Sequence, residues 1–195
     1  LQSLVKFDRL SLMLVNRGDS TTFTDNETVY NLIQANFDEE DNVIVAEDTR
    51  RHLDNTAIGH AYETEKIQIY RDANAGNQDA IAQFTDLKRY YSVGERSTIY
   101  LPMASGGEVL GVLSCGSESP IAFGEEATSL LARAAQLVAS TVQNARLFNQ
   151  AVNLQILNRS VVESIQQGIV VLDNEGIIFT VNQNMRTAYG WEPEA

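Results

Sequence analysis

The sequence predicts an α+β fold: an antiparallel sheet with helices, followed by a long helix and a short second hairpin. Three observations support this prediction. Apolar and polar residues alternate with strand periodicity in several segments before Gly124. A Gly106-Gly107 pair separates two such segments, which is typical of a tight hairpin turn. Between Gly124 and Gly168 there is neither glycine nor proline, and good helix formers dominate.

The N-terminal part predicts short strands. Residues 10–14 alternate leucine with Ser11 and Met13, which indicates a half-buried strand. Further strands are predicted over 28–37 and, from a short apolar run, over 43–45.

The middle of the chain predicts two helices and the rest of the sheet. A short helix is predicted over 56–64 and a strand over 67–70. Apolar residues at helical spacing predict a single second helix over 80–91. The hairpin follows, with strands over 98–103 and 109–115.

The segment without helix breakers predicts one continuous helix, which would be about 65 Å long at 1.5 Å per residue. Leucines seven residues apart are typical of a coiled-coil seam, although Leu137 and Leu147 are ten apart, which adds three residues to a heptad. We expect the helix to pair with a second copy as a parallel homodimer. The alternative is two helices, each packed on its own domain. The expected seam residues are Leu130, Leu137, Leu147, Leu154, Leu157 and Val161.

After Gly168 the pattern changes back to strands. A hairpin is predicted from 169–172 and 177–181, joined by a turn at 173–176, and a short helix then ends at Gly190. Because a two-stranded hairpin alone is marginally stable, we expect this piece to be poorly ordered or packed on another element.

Composition excludes several functional classes. The net charge of −12 argues against nucleic-acid binding, which needs clustered Lys and Arg, and against anionic lipid. Cys115 is the only cysteine, which excludes a disulfide framework and a thiolate-rich zinc site. No apolar run is long enough to span a membrane, and no signal-peptide pattern occurs. We expect a cytoplasmic chain that is a piece of a longer protein.

The residues around the Gly106-Gly107 turn carry a family resemblance. A strand containing Leu101-Pro102, a tight turn, a strand containing Gly111-Val112-Leu113 and a Phe123-led entry into the last helix resemble the C-terminal half of a GAF domain. The stretch 57–64 resembles the middle helix of that family. The resemblance covers residues 1 to about 148 and implies an antiparallel sheet, with the terminal helices on one face and ligand loops on the other.

The last part of the chain resembles a second family. Residues 168–173, then Gly176, Val181-Asn182 and Gly190-Trp191, look like the opening of a PAS domain, with a coiled-coil linker over 149–167 and the truncated domain over 168–195. This order is usual in multi-domain sensor histidine kinases. The resemblance therefore implies a histidine kinase output or, as alternatives, a diguanylate cyclase or a transcriptional regulator.

Enzyme chemistry has little support in the sequence. His52 and His60 are the only histidines, and no spaced partner gives either a metal site. His60, in the predicted helix, is the candidate if a haem or metal binds at all. The single Cys115 lacks the resolving partner that the methionine sulfoxide-reducing GAF proteins use. Where the cyclic-nucleotide-binding members have an Asn-Lys pair, this chain has Gly116-Ser117. We therefore expect no catalytic residue, no metal and no evident cofactor.

What remains is a generic pocket for an unknown small molecule. Tyrosines combine apolar area with a polar group, which suits such a site. Each of them could equally be a core or rim residue. The candidate ligand residues are Tyr70, Asp72, Tyr90, Tyr91, Tyr100 and His60.

Two functional hypotheses of different classes follow. In the first, the chain is a sensory input module that binds a ligand and passes a signal along the helical linker. In the second, it is a structural dimerisation module without a ligand. An enzyme is a third reading, which the residues support least.

Overall fold

The computed structural model divides the chain into two compact units, Leu1–Gln143 and Asn144–Ala195. The residues that the structure describes are 5–15, 29–37, 43–46, 51–71 and 78–190.

The first unit contains one antiparallel sheet. Its strands are β1 (Arg9–Val15), β2 (Val29–Phe37), β3 (Val43–Ala46), β4 (Arg51–His52), β5 (Gln68–Arg71), β6 (Ser97–Ser105) and β7 (Glu108–Ser117). In the described part of the chain the strand order is β3-β2-β1-β7-β6-β5, and β4 pairs with β2. The N-terminal strand β1 therefore lies at the centre, between β2 and β7.

The hairpin predicted at the two glycines is confirmed. Ser105 pairs with Glu108, and the two residues between them, Gly106 and Gly107, have φ angles of +63° and +81°. Positive φ at both central positions is what a two-residue turn needs to match the twist of its strands. The turn places β6 and β7 side by side along their full length.

The helices of this unit are α1 (Ala57–Thr64), α2 (Gln78–Gln83) and α3 (Thr85–Ser92), and α4 (Glu125–Ser164) begins in it. The single helix predicted over 80–91 is wrong, because the chain breaks at Phe84. That residue has an extended backbone, with φ −96° and ψ 125°. The following amide, of Thr85, donates to the carbonyl of Asn55 at 2.9 Å instead of continuing the helix.

Both faces of the sheet are covered. On β1, Arg9, Ser11, Met13 and Val15 are buried on one face, and the leucines between them are partly buried on the other. The strand predicted over 10–14 is therefore confirmed, but it is not half-buried, because both of its faces pack against other elements. The face with Arg9 and Ser11 lies under α1 and α3, in what we call the first core; the leucine face packs in the second core, against α4.

Helix α4 is continuous, as the lack of helix breakers predicts. It runs for 40 residues, and its first turn carries Glu125 and Glu126, which suit the positive end of a helix. In the first unit Leu131, Ala135 and Ala139 of α4 are buried in the second core. The alternative, two separate helices in this stretch, is therefore excluded for the single chain.

The second unit contains the end of α4 and the predicted hairpin. Strands β8 (Val170–Leu172) and β9 (Ile178–Val181) pair antiparallel and lead into α5 (Gln183–Tyr189), which ends at Gly190 with φ +63°. This agrees with the predicted order of elements.

Asn182 joins the parts of the second unit. Its side-chain amide is fully buried and donates to the carbonyls of Val162 in α4 and of Ile165 and Gln167 in the segment after α4, at 2.8–3.3 Å. Its carbonyl oxygen accepts from the amides of Ile169 and Met185, at 2.8 and 3.1 Å. One side chain thus caps α5 and satisfies carbonyls in the last turn of α4 and in the segment that follows it.

Candidate functional site

The first core contains a row of four aromatic rings between the sheet and α1. Tyr70 of β5 meets Tyr100 of β6 edge to face, with ring centres 6.0 Å apart. The Tyr70 ring also meets that of Phe84, at 5.9 Å, and Phe84 lies against the His60 ring of α1, at 5.6 Å. The structure therefore brings together three of the predicted ligand residues, and Phe84 joins them. We call His60, Phe84, Tyr70 and Tyr100 the aromatic row.

Asp86 is the polar centre beside this row. Its carboxylate accepts from the backbone amides of Ala57 and Ile58, at 2.8 and 3.2 Å, which begin helix α1. It also accepts from the amide of Leu87, at 3.0 Å, and from the hydroxyl of Tyr100, at 3.1 Å. A carboxylate at the positive end of a helix is favourable, so Asp86 fixes α1 to α3 and to strand β6.

Burial keeps the phenols of the row neutral. It raises the pKa of Tyr100 well above its ordinary value, and the negative charge of Asp86 raises it further. Burial, and then Asp86, raise the pKa of Tyr70 to about 12. Both hydroxyls remain protonated at neutral pH, so that of Tyr100 stays a donor to Asp86.

A second polar group lies on the same face of the sheet, around Arg9 of β1. Its Nε and Nη2 donate to the carboxylate of Glu95, at 2.5 and 3.1 Å, and Nη1 donates to the hydroxyls of Ser11 and Ser114, at 2.7 and 3.3 Å. The hydroxyl of Thr98 donates to the same carboxylate at 3.1 Å. Every side chain in this network is buried, and we call Arg9 and Glu95 the buried ion pair.

Two neighbours shape the buried ion pair. The guanidinium of Arg9 lies 3.7 Å from the centre of the Tyr90 ring, a cation–π contact. Burial alone lowers the pKa of Arg9, but electrostatic interactions with Tyr90 and Glu95 and the hydrogen bond to Glu95 raise it above its usual range. On the other side, a Cβ at Gly116 would stand 2.2 Å from a Glu95 carboxylate oxygen. Only glycine leaves room for this carboxylate.

The predicted ligand residues therefore divide between the two groups. His60, Tyr70 and Tyr100 belong to the aromatic row, and Tyr91 lies in the first core, where its hydroxyl donates to the Arg96 carbonyl at 3.3 Å. The ring of Tyr90 lies against Arg9 of the buried ion pair. Asp72 lies outside the described residues.

Sequence reasoning missed three polar residues of the site, Asp86, Arg9 and Glu95, and also the helix-breaking Phe84. Arg9 and Ser11 alternate with leucines, and this pattern is typical of a solvent-facing side. Asp86 lay within the predicted helix, where a carboxylate normally faces water. No local signal in the sequence marks either one as buried.

The thiol of Cys115 is buried in the second core. Burial raises the pKa of the Cys115 thiol to about 12, so it carries little thiolate at neutral pH. Among the described residues, no three His, Cys, Asp or Glu side chains are placed to hold a metal ion.

The expected seam residues lie along α4. Leu137, Leu147, Leu154, Leu157 and Val161 are each more than half exposed in the single chain, whereas Leu130 is partly buried against the second core. No helix within the described ranges has the length and hydrophobicity that a bilayer crossing requires.

Comparisons with known proteins agree on the fold. The family model described as GAF domain matches residues 1–142. The GAF domain of a two-component sensor histidine kinase from Bacillus halodurans is 16% identical, with a TM-score of 0.57, over 76% of this chain and 90% of that one. The GAF domain of an Acinetobacter phosphoenolpyruvate-protein phosphotransferase is 18% identical, with a TM-score of 0.53, over 74% and 76%.

A third similar structure is a GAF domain that absorbs light. The blue-light-absorbing form of the PixJ GAF domain from Thermosynechococcus elongatus is 16% identical, with a TM-score of 0.53, over 78% of this chain and 83% of that one. No curated protein matches the sequence significantly. At these identities the structural likeness establishes the fold alone.

Proposed function

Because the chain belongs to the GAF domain family, we propose that it is the input module of a signal-transduction protein, which binds a small ligand at the aromatic row and dimerises through α4. GAF domains are regulatory and sensory modules of sensor kinases and other signalling proteins, and are generally not catalytic.

The proposal depends on strand β6, because its neighbouring residues point into different cores. Tyr100 points into the first core, where it contacts Asp86 and the aromatic row. Its neighbours Ile99 and Leu101 point into the second core, which includes residues of α4. A displacement of Tyr100 therefore reaches α4 through a single strand, inside the first unit. A coupling of about 1–3 kcal/mol is typical of such control.

The chemistry of the row indicates the class of ligand. The row is aromatic and largely buried, which favours a small, mostly apolar molecule. The Asp86 carboxylate favours one that presents a hydrogen-bond donor. Such a donor would compete with the hydroxyl of Tyr100 for Asp86.

Thermal unfolding against a metabolite panel tests ligand binding. A ligand that binds only the folded state raises the midpoint in proportion to ln(1 + [L]/Kd). We expect Tyr70→Leu to abolish the rise, whereas Tyr189→Leu, the same change at an exposed tyrosine of the second unit, leaves it unchanged. A shift that survives Tyr70→Leu would place the ligand elsewhere.

A dimerisation module without ligand is the second candidate. The hydrogen bond from Tyr100 to Asp86 favours this candidate, because both groups already have a partner in the folded chain and need no ligand. No thermal shift with any compound, together with a stable dimer in light scattering, would support this candidate over the first.

We also propose that the segment from Gly168 opens a PAS domain and that the whole protein is a sensor histidine kinase. Support comes from the order β8, β9, α5 and from the histidine kinase origin of one similar GAF structure. The test is autophosphorylation of the full-length protein with radiolabelled ATP. Absence of a kinase domain from the full coding sequence would contradict the proposal.

A further inference from the structure

Helix α4 differs in charge from the rest of the chain. The sequence has 26 acidic residues and a net charge of −12, yet none of the acidic residues lies between Glu126 and Glu163. The same stretch carries Arg133, Arg146 and Arg159. Two copies of so acidic a chain repel one another over most of their surface. Residues 127–162 carry no acidic side chain, so repulsion between carboxylates is absent along this stretch of the helix.

The second half of α4 has two distinct faces. One lines a groove with Phe179, Thr180, Val181 and Arg186 of the hairpin and α5; its helix residues are Gln155, Asn158, Arg159, Val162 and Glu163. Leu147, Leu154, Leu157 and Val161 are absent from that lining and more than half exposed. At 100° per residue these four fall within one narrow stripe beside the groove face. We call them the leucine stripe.

We infer that the leucine stripe pairs with the same stripe of a second copy, parallel and in register, and that Gln150 forms a polar layer that sets this register. The inference rests on the dimer of the proposed function and specifies its contacts.

The spacing supports a second copy as the occupant. Leu147, Leu154 and Val161 are seven residues apart, and Leu157 takes the intervening position, so the stripe is complementary to itself. The residues that flank it are uncharged apart from Arg146: Asn144, Ala151, Asn153, Asn158 and Ser160. At these flanking positions, the two Arg146 side chains of the paired copies are therefore the like charges that oppose the pairing.

Gln150 lies one heptad before Leu157 and therefore on the same face of the helix as the leucine stripe. Gln143 lies one heptad before Gln150. An amide both donates and accepts, so two Gln150 side chains satisfy each other when they share a layer. A shifted register would place each amide against leucine and leave it without a partner, which is costly. A buried polar layer thus specifies register and stoichiometry at the expense of stability.

Disulfide cross-linking tests the pairing. Leu157→Cys and Ile156→Cys are matched variants, since the native side chains are adjacent and 57% and 59% exposed. The native Cys115 is fully buried and gives no background. Under mild oxidation we expect Leu157→Cys to form a covalent dimer and Ile156→Cys to remain monomeric. Equal yields, or no product from either, would overturn both the dimer and the inference.

Substitution of the polar layer tests the register. We expect Gln150→Leu to lower the dimer dissociation constant about tenfold and to yield assemblies larger than dimers, whereas Asn149→Leu, on another exposed face, changes neither. Both are measured by sedimentation equilibrium over a dilution series. If Leu157→Cys cross-links but Gln150→Leu behaves like Asn149→Leu, the dimer stands and the polar layer is refuted.

Discussion

Neutralising Glu95 tests whether the buried ion pair holds strand β1 in the sheet. Glu95→Gln keeps the size of the side chain and removes its charge. Arg9 then remains a cation at 3% exposure, without the carboxylate that accepts from its Nε and Nη2.

The expected cost follows from the remaining partners. Removing one member of a buried pair costs about 3–5 kcal/mol, because the other charge is left uncompensated. Arg9 keeps its bonds to Ser11 and Ser114 and the ring of Tyr90. The glutamine oxygen can still accept one bond. We therefore expect the lower end, about 3 kcal/mol of unfolding free energy.

Urea unfolding followed by tyrosine fluorescence, at fixed protein concentration, measures this cost. Glu118→Gln is the matched control at an exposed position, with an expected change below about 0.5 kcal/mol. In Arg9→Met/Glu95→Gln neither charge is left unpaired, so we expect the double variant to lose less than the sum of the single losses. A loss below about 1 kcal/mol for Glu95→Gln, or strict additivity, would refute the reasoning.

Three further predictions concern other buried groups. Gly116→Ala places a Cβ 2.2 Å from a Glu95 oxygen and should cost about 1–3 kcal/mol in the same urea assay; an unchanged midpoint would contradict the role of this glycine. Asn182→Ala should cost about 2 kcal/mol locally and speed amide hydrogen exchange in β8 and β9, while Asn184→Ala, which loses one exposed bond, has a smaller effect. Because the folded-state pKa of Tyr100 is raised, its contribution to stability is present below about pH 10 and is lost as the pH rises further. Tyr100→Phe should therefore flatten the decline of the urea midpoint above that pH, and an unchanged slope would argue against it.

The sequence predicted the elements whose signal is local. The hairpin follows from Gly106-Gly107, and the length of α4 follows from a stretch without helix breakers. The break at Phe84 was not predictable in this way, because it depends on the amide of Thr85 reaching the carbonyl of Asn55. The candidate site was predictable only in the part whose signal is local. Tyrosines suggest a pocket from their chemistry alone, whereas Asp86 and Arg9 are buried only because distant segments supply their partners.

Under the proposed function, the hydrogen bonds of the aromatic row and Asp86 set the size of the signal that a ligand can cause. The bond from Tyr100 to the charged Asp86 is worth about 1.5–3 kcal/mol, the same order as a typical allosteric coupling. A ligand whose donor replaces the Tyr100 hydroxyl leaves the amides of Ala57 and Ile58 on the carboxylate, so α1 stays capped while β6 is released. A ligand that only stacks on the rings makes no such exchange. It should bind, and raise the unfolding midpoint, without changing the packing of Ile99 and Leu101 in the second core. Affinity and signalling then separate according to whether the ligand competes for Asp86.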